Sequence, residues 1–171
     1  MYYYNLVSKF PKLKFLDKIN VYSGRLASFL VLSLILLVSI SVSLRYLFSI
    51  GFTWLQDLYI WVHACAVLLA VGYTLRNDSH VRIDLIYRKL SKNSQRKVDF
   101  FGSIIFGLPV CYIIIVHGYD YFLRSFLIDE GSKESGGLPN LYILKFFIFF
   151  MGILVLLEIL NKIFSFLKRD D

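Results

Sequence analysis

Four stretches of this chain are apolar for long enough to cross a bilayer, and most of its polar residues are gathered between them. A transmembrane helix needs about 20 mostly apolar residues, because the hydrocarbon core is about 30 Å thick and the helix rises about 1.5 Å per residue. Residues 26–44 carry no charge between Arg25 and Arg45, 58–75 none between Asp57 and Arg76, and 100–119 none between Asp99 and Asp120. The fourth stretch, 142–163, holds Lys145 near one end and Glu158 and Lys162 near the other. Its uncharged centre, 146–157, is short enough for a buried soluble helix, but beside three clear spans the membrane reading prevails. Lipid leaves no backbone polar group satisfied unless the segment is a helix or part of a closed barrel. The runs do not alternate polar with apolar residues, so helices are predicted. The first span lies too far from Met1 for a cleaved signal peptide and is expected to stay as an anchor.

Charge then sets the orientation. Fifteen of the 19 Lys and Arg residues fall before the first span (Lys9, Lys12, Lys14, Lys18, Arg25), between the second and third (Arg76, Arg82, Arg88, Lys89, Lys92, Arg96, Lys97) and after the fourth (Lys162, Lys168, Arg169). The other two loops share four: Arg45, Arg124, Lys133 and Lys145. The positive-inside rule places both termini in the cytoplasm. The same asymmetry explains the net charge of +7 without nucleic acid, for which no readout motif is present. The expected organisation is one all-α membrane domain, with an N-terminal arm 1–25, a basic cytoplasmic loop 76–99 and an outer loop 120–141. Leu13, Leu16 and Ile19 in the arm, and Ile83, Ile86 and Leu90 in the basic loop, recur at helical spacing among cations. Both patterns predict short amphipathic helices in the inner interface or, alternatively, ordinary solvated connectors.

Few groups offer chemistry. His63 and His117 fall at similar depth on neighbouring antiparallel spans, a placement that suits two axial haem ligands or two interfacial histidines bonded to neighbours. Glu158 and Lys162 stand at i, i+4 in the favourable order, near a helix end where long side chains snorkel. Lys145 reaches the outer interface in the same way. No carboxylate occupies the middle of a span, which argues against a self-sufficient transporter. Cys65 and Cys111 lie inside apolar runs and make neither a disulfide framework nor a metal site. Trp54 and Trp61 mark the outer interface, Asp57 lies at a helix N-terminus, and Pro109 beside Gly107 predicts a kink. Gly136-Gly137-Leu138-Pro139 predicts a turn that launches the last helix. Phe146, Phe147, Phe149 and Phe150 cover most of that helix's circumference and suit lipid or a flat protein interface.

Several of these blocks occur together in one known family. Arg45-Tyr46-Leu47-Phe48, Trp54-Leu55-Gln56-Asp57-Leu58, the run from Tyr73 to Asp84 that contains His80-Val81-Arg82-Ile83-Asp84, and Gly136-Gly137-Leu138-Pro139 with Lys145 resemble the small, DctQ-like membrane subunit of TRAP (tripartite ATP-independent periplasmic) transporters. The resemblance runs from about Arg45 to Leu157. In the outer loop the family often has paired glutamates, and this chain has Gln56-Asp57.

The resemblance implies a non-catalytic subunit of the bacterial inner membrane, without cofactor or metal. Its partners would be a large multi-span subunit carrying the substrate and sodium sites, a periplasmic substrate-binding protein that delivers an organic anion, and membrane lipid. Arg45, Trp54, Asp57, His80, Arg82, Asp84, Gly137, Pro139 and Lys145 become candidates for partner or lipid contact, with Arg45 and Asp57 also able to pair across the short outer loop. Two other readings compete: a haem-bearing anchor of a redox enzyme, resting on His63 and His117, and an autonomous exporter.

Overall fold

A computed structural model describes residues 14–77 and 90–167. Its elements are α1 (Lys14–Phe48), α2 (Thr53–Arg76), α3 (Lys92–Gly102), a π-helical turn (Ser103–Gly107), α4 (Leu108–Leu127) and α5 (Tyr142–Leu167). Asp17–Phe48, Thr53–Arg76, Asn93–Leu127 and Tyr142–Leu167 are each long and apolar enough to cross a membrane. The four expected spans are therefore present as helices, and the chain is an all-α, multi-pass membrane protein.

Several boundaries differ from the sequence expectation: α2 starts at Thr53, so Asp57 stands one turn inside it and not at its N-terminus, and α4 runs to Leu127, into the expected outer loop 120–141. Residues 14–25 are not a separate helix lying in the interface, because α1 runs through them without a break. Asn20, Ser23 and Ala27 form a buried stripe at helical spacing on that segment, so burial against α2 and α5 overrides the cationic flank that suggested an interfacial arm. The third span likewise starts in α3, well before the charge boundary at Asp99. His80, Arg82, Asp84 and the apolar pattern from Ile83 to Ile86 lie outside the described residues.

Pro109 acts through the turn before it. A proline inside a helix removes one N–H and its ring meets the carbonyl four residues back. Here the backbone widens to a π-helical turn over Ser103–Gly107 just ahead of it, one of the recognised ways a helix absorbs such an insertion. Pro139, by contrast, does not begin α5. The left-handed residue Asn140 (φ 65°) intervenes, and the helix starts at Tyr142, with Ile143 N donating to Asn140 O at 3.0 Å.

α5 organises the bundle. It packs on α4 along one flank and on α2 along another, and it also touches α1, which itself lies along α2. The described core is where three helices meet, at Ala27, Leu69 and Leu154, with Ile19, Leu30, Ala70, Phe147 and Phe150 against it. The phenylalanines of α5 divide between faces: Phe147 and Phe150 turn to that core, Phe146 and Phe149 turn to α4, and Phe146 and Phe164 stay partly exposed. Phe149 meets Tyr119, Phe146 meets Phe122 at 5.6 Å in an edge-on pair, and Tyr142 meets Phe126, so the rings fill the α4–α5 seam. Small residues allow that seam to be tight: a Cβ on Gly118 would stand 3.1 Å from the Phe149 backbone, the close approach typical of membrane helix pairs.

Much apolar surface stays outside. Leu32, Ile35, Leu36 and Ile40 on α1, and Ile105, Val110 and Ile113 along the third span, are exposed. In water such a surface would aggregate; in a bilayer it is the ordinary lipid-facing or partner-facing side of a helix.

Candidate functional site: polar anchors at the two ends of the bundle

Polar side chains gather at two levels. From Asp57 to Arg76 the helix α2 rises about 28 Å, close to the hydrocarbon thickness, so these two residues mark the two boundaries.

At the Arg76 boundary three helices are tied together. Arg76 makes a two-pronged pair with Asp17 of α1, Nε to Oδ1 at 2.6 Å and Nη2 to Oδ2 at 2.9 Å. One turn further in, Asn20 is fully buried. Its Nδ2 donates to Leu154 O at 3.3 Å and to Glu158 Oε2 at 3.4 Å, linking α1 to α5. Ser23 donates to Leu69 O at 3.0 Å, linking α1 to α2. Asn20 Oδ1 receives no N–H or O–H among the described residues; it packs on Gly72, where any Cβ would collide with it and would lie 2.9 Å from Leu154 Cβ. Asn161 is 2% exposed on the same face of α5 as Glu158.

Glu158 corrects one expectation. With 1% exposure it does not snorkel to the boundary; it turns into the bundle towards Asn20. The competition is between solvation at the rim and a hydrogen bond within the crossing, and an acceptor that meets Asn20 inside wins.

At the Asp57 boundary the same residue types hold a loop. Asp57 Oδ2 accepts from Leu138 N at 2.9 Å, and a Cβ on Gly137 would run into that carboxylate and stand 2.5 Å from Ser132 Cβ. The Gly-Gly-Leu-Pro block is therefore a docking surface for Asp57, with Gly136 supplying the left-handed turn at φ 75°. The loop is closed by Ser132 N to Leu138 O at 2.9 Å and Leu141 N to Glu130 O at 2.7 Å. Lys145, 6% exposed, pairs with Glu130 and sits 3.9 Å from the centre of the Tyr121 ring. The ammonium of Lys145 beside it holds the Glu130 carboxyl below its ordinary range.

Among the sequence candidates, Asp57, Gly137 and Lys145 are thus brought into one assembly, with Pro139 next to it. Arg45 stands apart: among the described residues it has no carboxylate partner, and Asp57 is on Leu138 instead. Trp54 is half exposed at the start of α2 and stacks near Phe52 at 5.8 Å. His63 and His117 both face outward, from α2 and α4, which are not among the helix pairs that pack together. That arrangement gives two axial imidazoles no shared pocket. Asn20, Ser23, Glu130 and Asn161 were not singled out from sequence. Asn20-Ser23-Gly24-Ala27 at helical spacing was the available signal for the first two; nothing local points to Glu130 or Asn161.

The charged and polar groups described here tie helices and a loop together, and the fold around them is a multi-span bundle with an apolar exterior. This is the architecture of a multi-pass membrane protein. The family model of the DctQ component of tripartite ATP-independent periplasmic transporters matches residues 34–169, and the chain belongs to that family, whose members are non-catalytic transporter subunits. No curated protein matches the chain.

Proposed function

We propose that this chain is the static small subunit of a TRAP transporter, holding a large membrane subunit in place during sodium-coupled uptake of an organic anion delivered by a periplasmic binding protein. The observation that carries this reading is the contrast within α1. Its first half is fastened to two other helices by Asp17, Asn20 and Ser23, whereas its second half leaves Val31, Leu32, Ile35, Leu36 and Ile40 bare. A rod anchored at one end and apolar along the other offers a fixed surface to a larger membrane protein. Neither 26–44 nor 100–119 contains Asp, Glu, Lys or Arg, so those helices have no carboxylate or permanent cation in mid-span to move a solute.

The distribution of Lys and Arg supports a cytoplasmic location for both termini and the inner membrane as the setting. The loop held by Asp57 then faces the periplasm, where a delivery protein can reach it. The test is co-purification: a tagged full chain extracted in mild detergent should bring a large multi-span protein with it, and a stable chain that travels alone contradicts the reading. A thiol placed at Lys133 should react with an impermeant reagent from the outside; reaction from the cytosolic side alone reverses the topology.

A further inference from the structure

We propose that the recess between α1 and α2 at the Arg45 end is a binding site for a phospholipid, with Arg45 on the phosphate and the α1 face below it against an acyl chain. The recess is lined by Val38, Ser41, Val42, Arg45, Tyr46, Gln56 and Tyr59. Val38, Val42 and Arg45 follow one another at helical spacing, and the two valines are exposed. They make an apolar strip that ends in a cation.

The depth of that cation fits a headgroup. Asp57 marks the boundary of the hydrocarbon on α2, and Gln56, one residue before it, lines the same recess as Arg45. Arg45, in the last turn of α1, therefore sits at or just outside the hydrocarbon edge, where phosphates lie. Its guanidinium has no carboxylate partner among the described residues, and a planar fork of N–H donors matches a phosphate in two-pronged fashion. Tyr46, Tyr59 and Gln56 line the recess beside it, and their side chains carry donor groups. A free phosphate would use the cation and leave the apolar strip unused; a hydrocarbon chain alone would use the strip and leave the cation unused. A phospholipid uses both. The site concerns this chain by itself, so its failure would leave the transporter reading untouched.

The experiment is native mass spectrometry of the purified full chain titrated with dioleoylphosphatidylglycerol, with dioleoylglycerol, and with inorganic phosphate as competitor. Arg124 provides the control, being an exposed arginine in the last turn of α4 at the same end of the bundle. Arg45→Gln should weaken phosphatidylglycerol binding about tenfold or more, the loss expected when a charge-assisted contact is removed. Arg124→Gln should change it by less than about twofold, and Arg45→Lys should fall between the two, about three- to tenfold weaker, because the charge remains and the two-pronged fork does not. Dioleoylglycerol should bind about tenfold more weakly than the phosphatidylglycerol, and millimolar phosphate should not displace the lipid. Equal losses in Arg45→Gln and Arg124→Gln would overturn the proposal in favour of diffuse charge attraction. Equal binding of dioleoylglycerol would reduce the recess to ordinary lipid contact, and displacement by phosphate would make it a free-anion site; either also overturns it.

Discussion

The two ends of the bundle use similar side chains to different effect. At the Arg76 end, Asp17, Asn20, Ser23 and Glu158 connect one helix to another, and the apolar core lies directly beneath them. At the Asp57 end, Asp57 and Lys145 connect a helix to a loop, while α1 runs on with its apolar side chains uncovered. Polar groups between helices fix how the rods cross, because membrane helices gain little from hydrophobic attraction and depend on close packing and hydrogen bonds. Polar groups between a helix and a loop fix what the loop presents, and leave the crossing of the rods unaffected. The first end sets the shape of the subunit; the second sets a surface.

Disrupting the helix crossing should have the largest effect. Gly72→Ala places a methyl group where Asn20 Oδ1 and Leu154 already stand; overpacking of this kind costs about 1–3 kcal/mol. Reversible unfolding in mixed micelles should register that loss, while Gly51→Ala, which meets nothing within 4 Å, should change little. Glu158→Leu comes next, at about 1–2 kcal/mol, since it removes an acceptor from buried Asn20; Glu158→Gln retains an acceptor and should recover most of the difference.

The Asp57 end should respond locally. Asp57→Ala frees the Leu138 amide, and hydrogen exchange over 132–138 should accelerate about tenfold, corresponding to about 1.4 kcal/mol of local opening. Global unfolding should move much less than in Gly72→Ala. A comparable global loss would mean that the loop, too, holds the rods together.

The smallest effect should come from acid. The Glu130 carboxyl is held below its ordinary range by Lys145, so the folded state binds its proton less readily than the unfolded chain does. The stabilisation from this pair is complete above the unfolded carboxylate value of about 4.3 and disappears as pH falls through the lower folded value. The protection of the Leu141 N–H, which bonds to Glu130 O, measured relative to its intrinsic exchange rate at each pH, should therefore fall in that acid window. Glu130→Gln should remove this pH dependence.

The sequence carried the spans and much of the outer assembly for a physical reason. Length and absence of charge decide whether a helix crosses lipid, and both are local properties; Asp57, Gly137 and Lys145 stood out because charge or glycine is conspicuous beside an apolar run. The inner crossing was less legible. Asn20 and Glu158 are 138 positions apart, and Glu158 has a plausible local partner in Lys162 that drew it towards the rim. The buried stripe of Asn20, Ser23 and Ala27 was masked by neighbouring cations that suggested an interfacial arm. The phenylalanines of α5 showed what the helix carries and left open which neighbour takes it, a question settled by the position of α4.

A distance measurement tests the central claim most directly. Spin labels at Tyr46 and Leu127, which are 80% and 72% exposed, can be placed in a chain with Cys65 and Cys111 replaced by alanine and assembled with its large subunit in lipid. The fixed-scaffold account predicts one unchanged distance with sodium and substrate present or absent, while labels on the large subunit's moving part shift. A distance on this chain that moves or splits with sodium would contradict it.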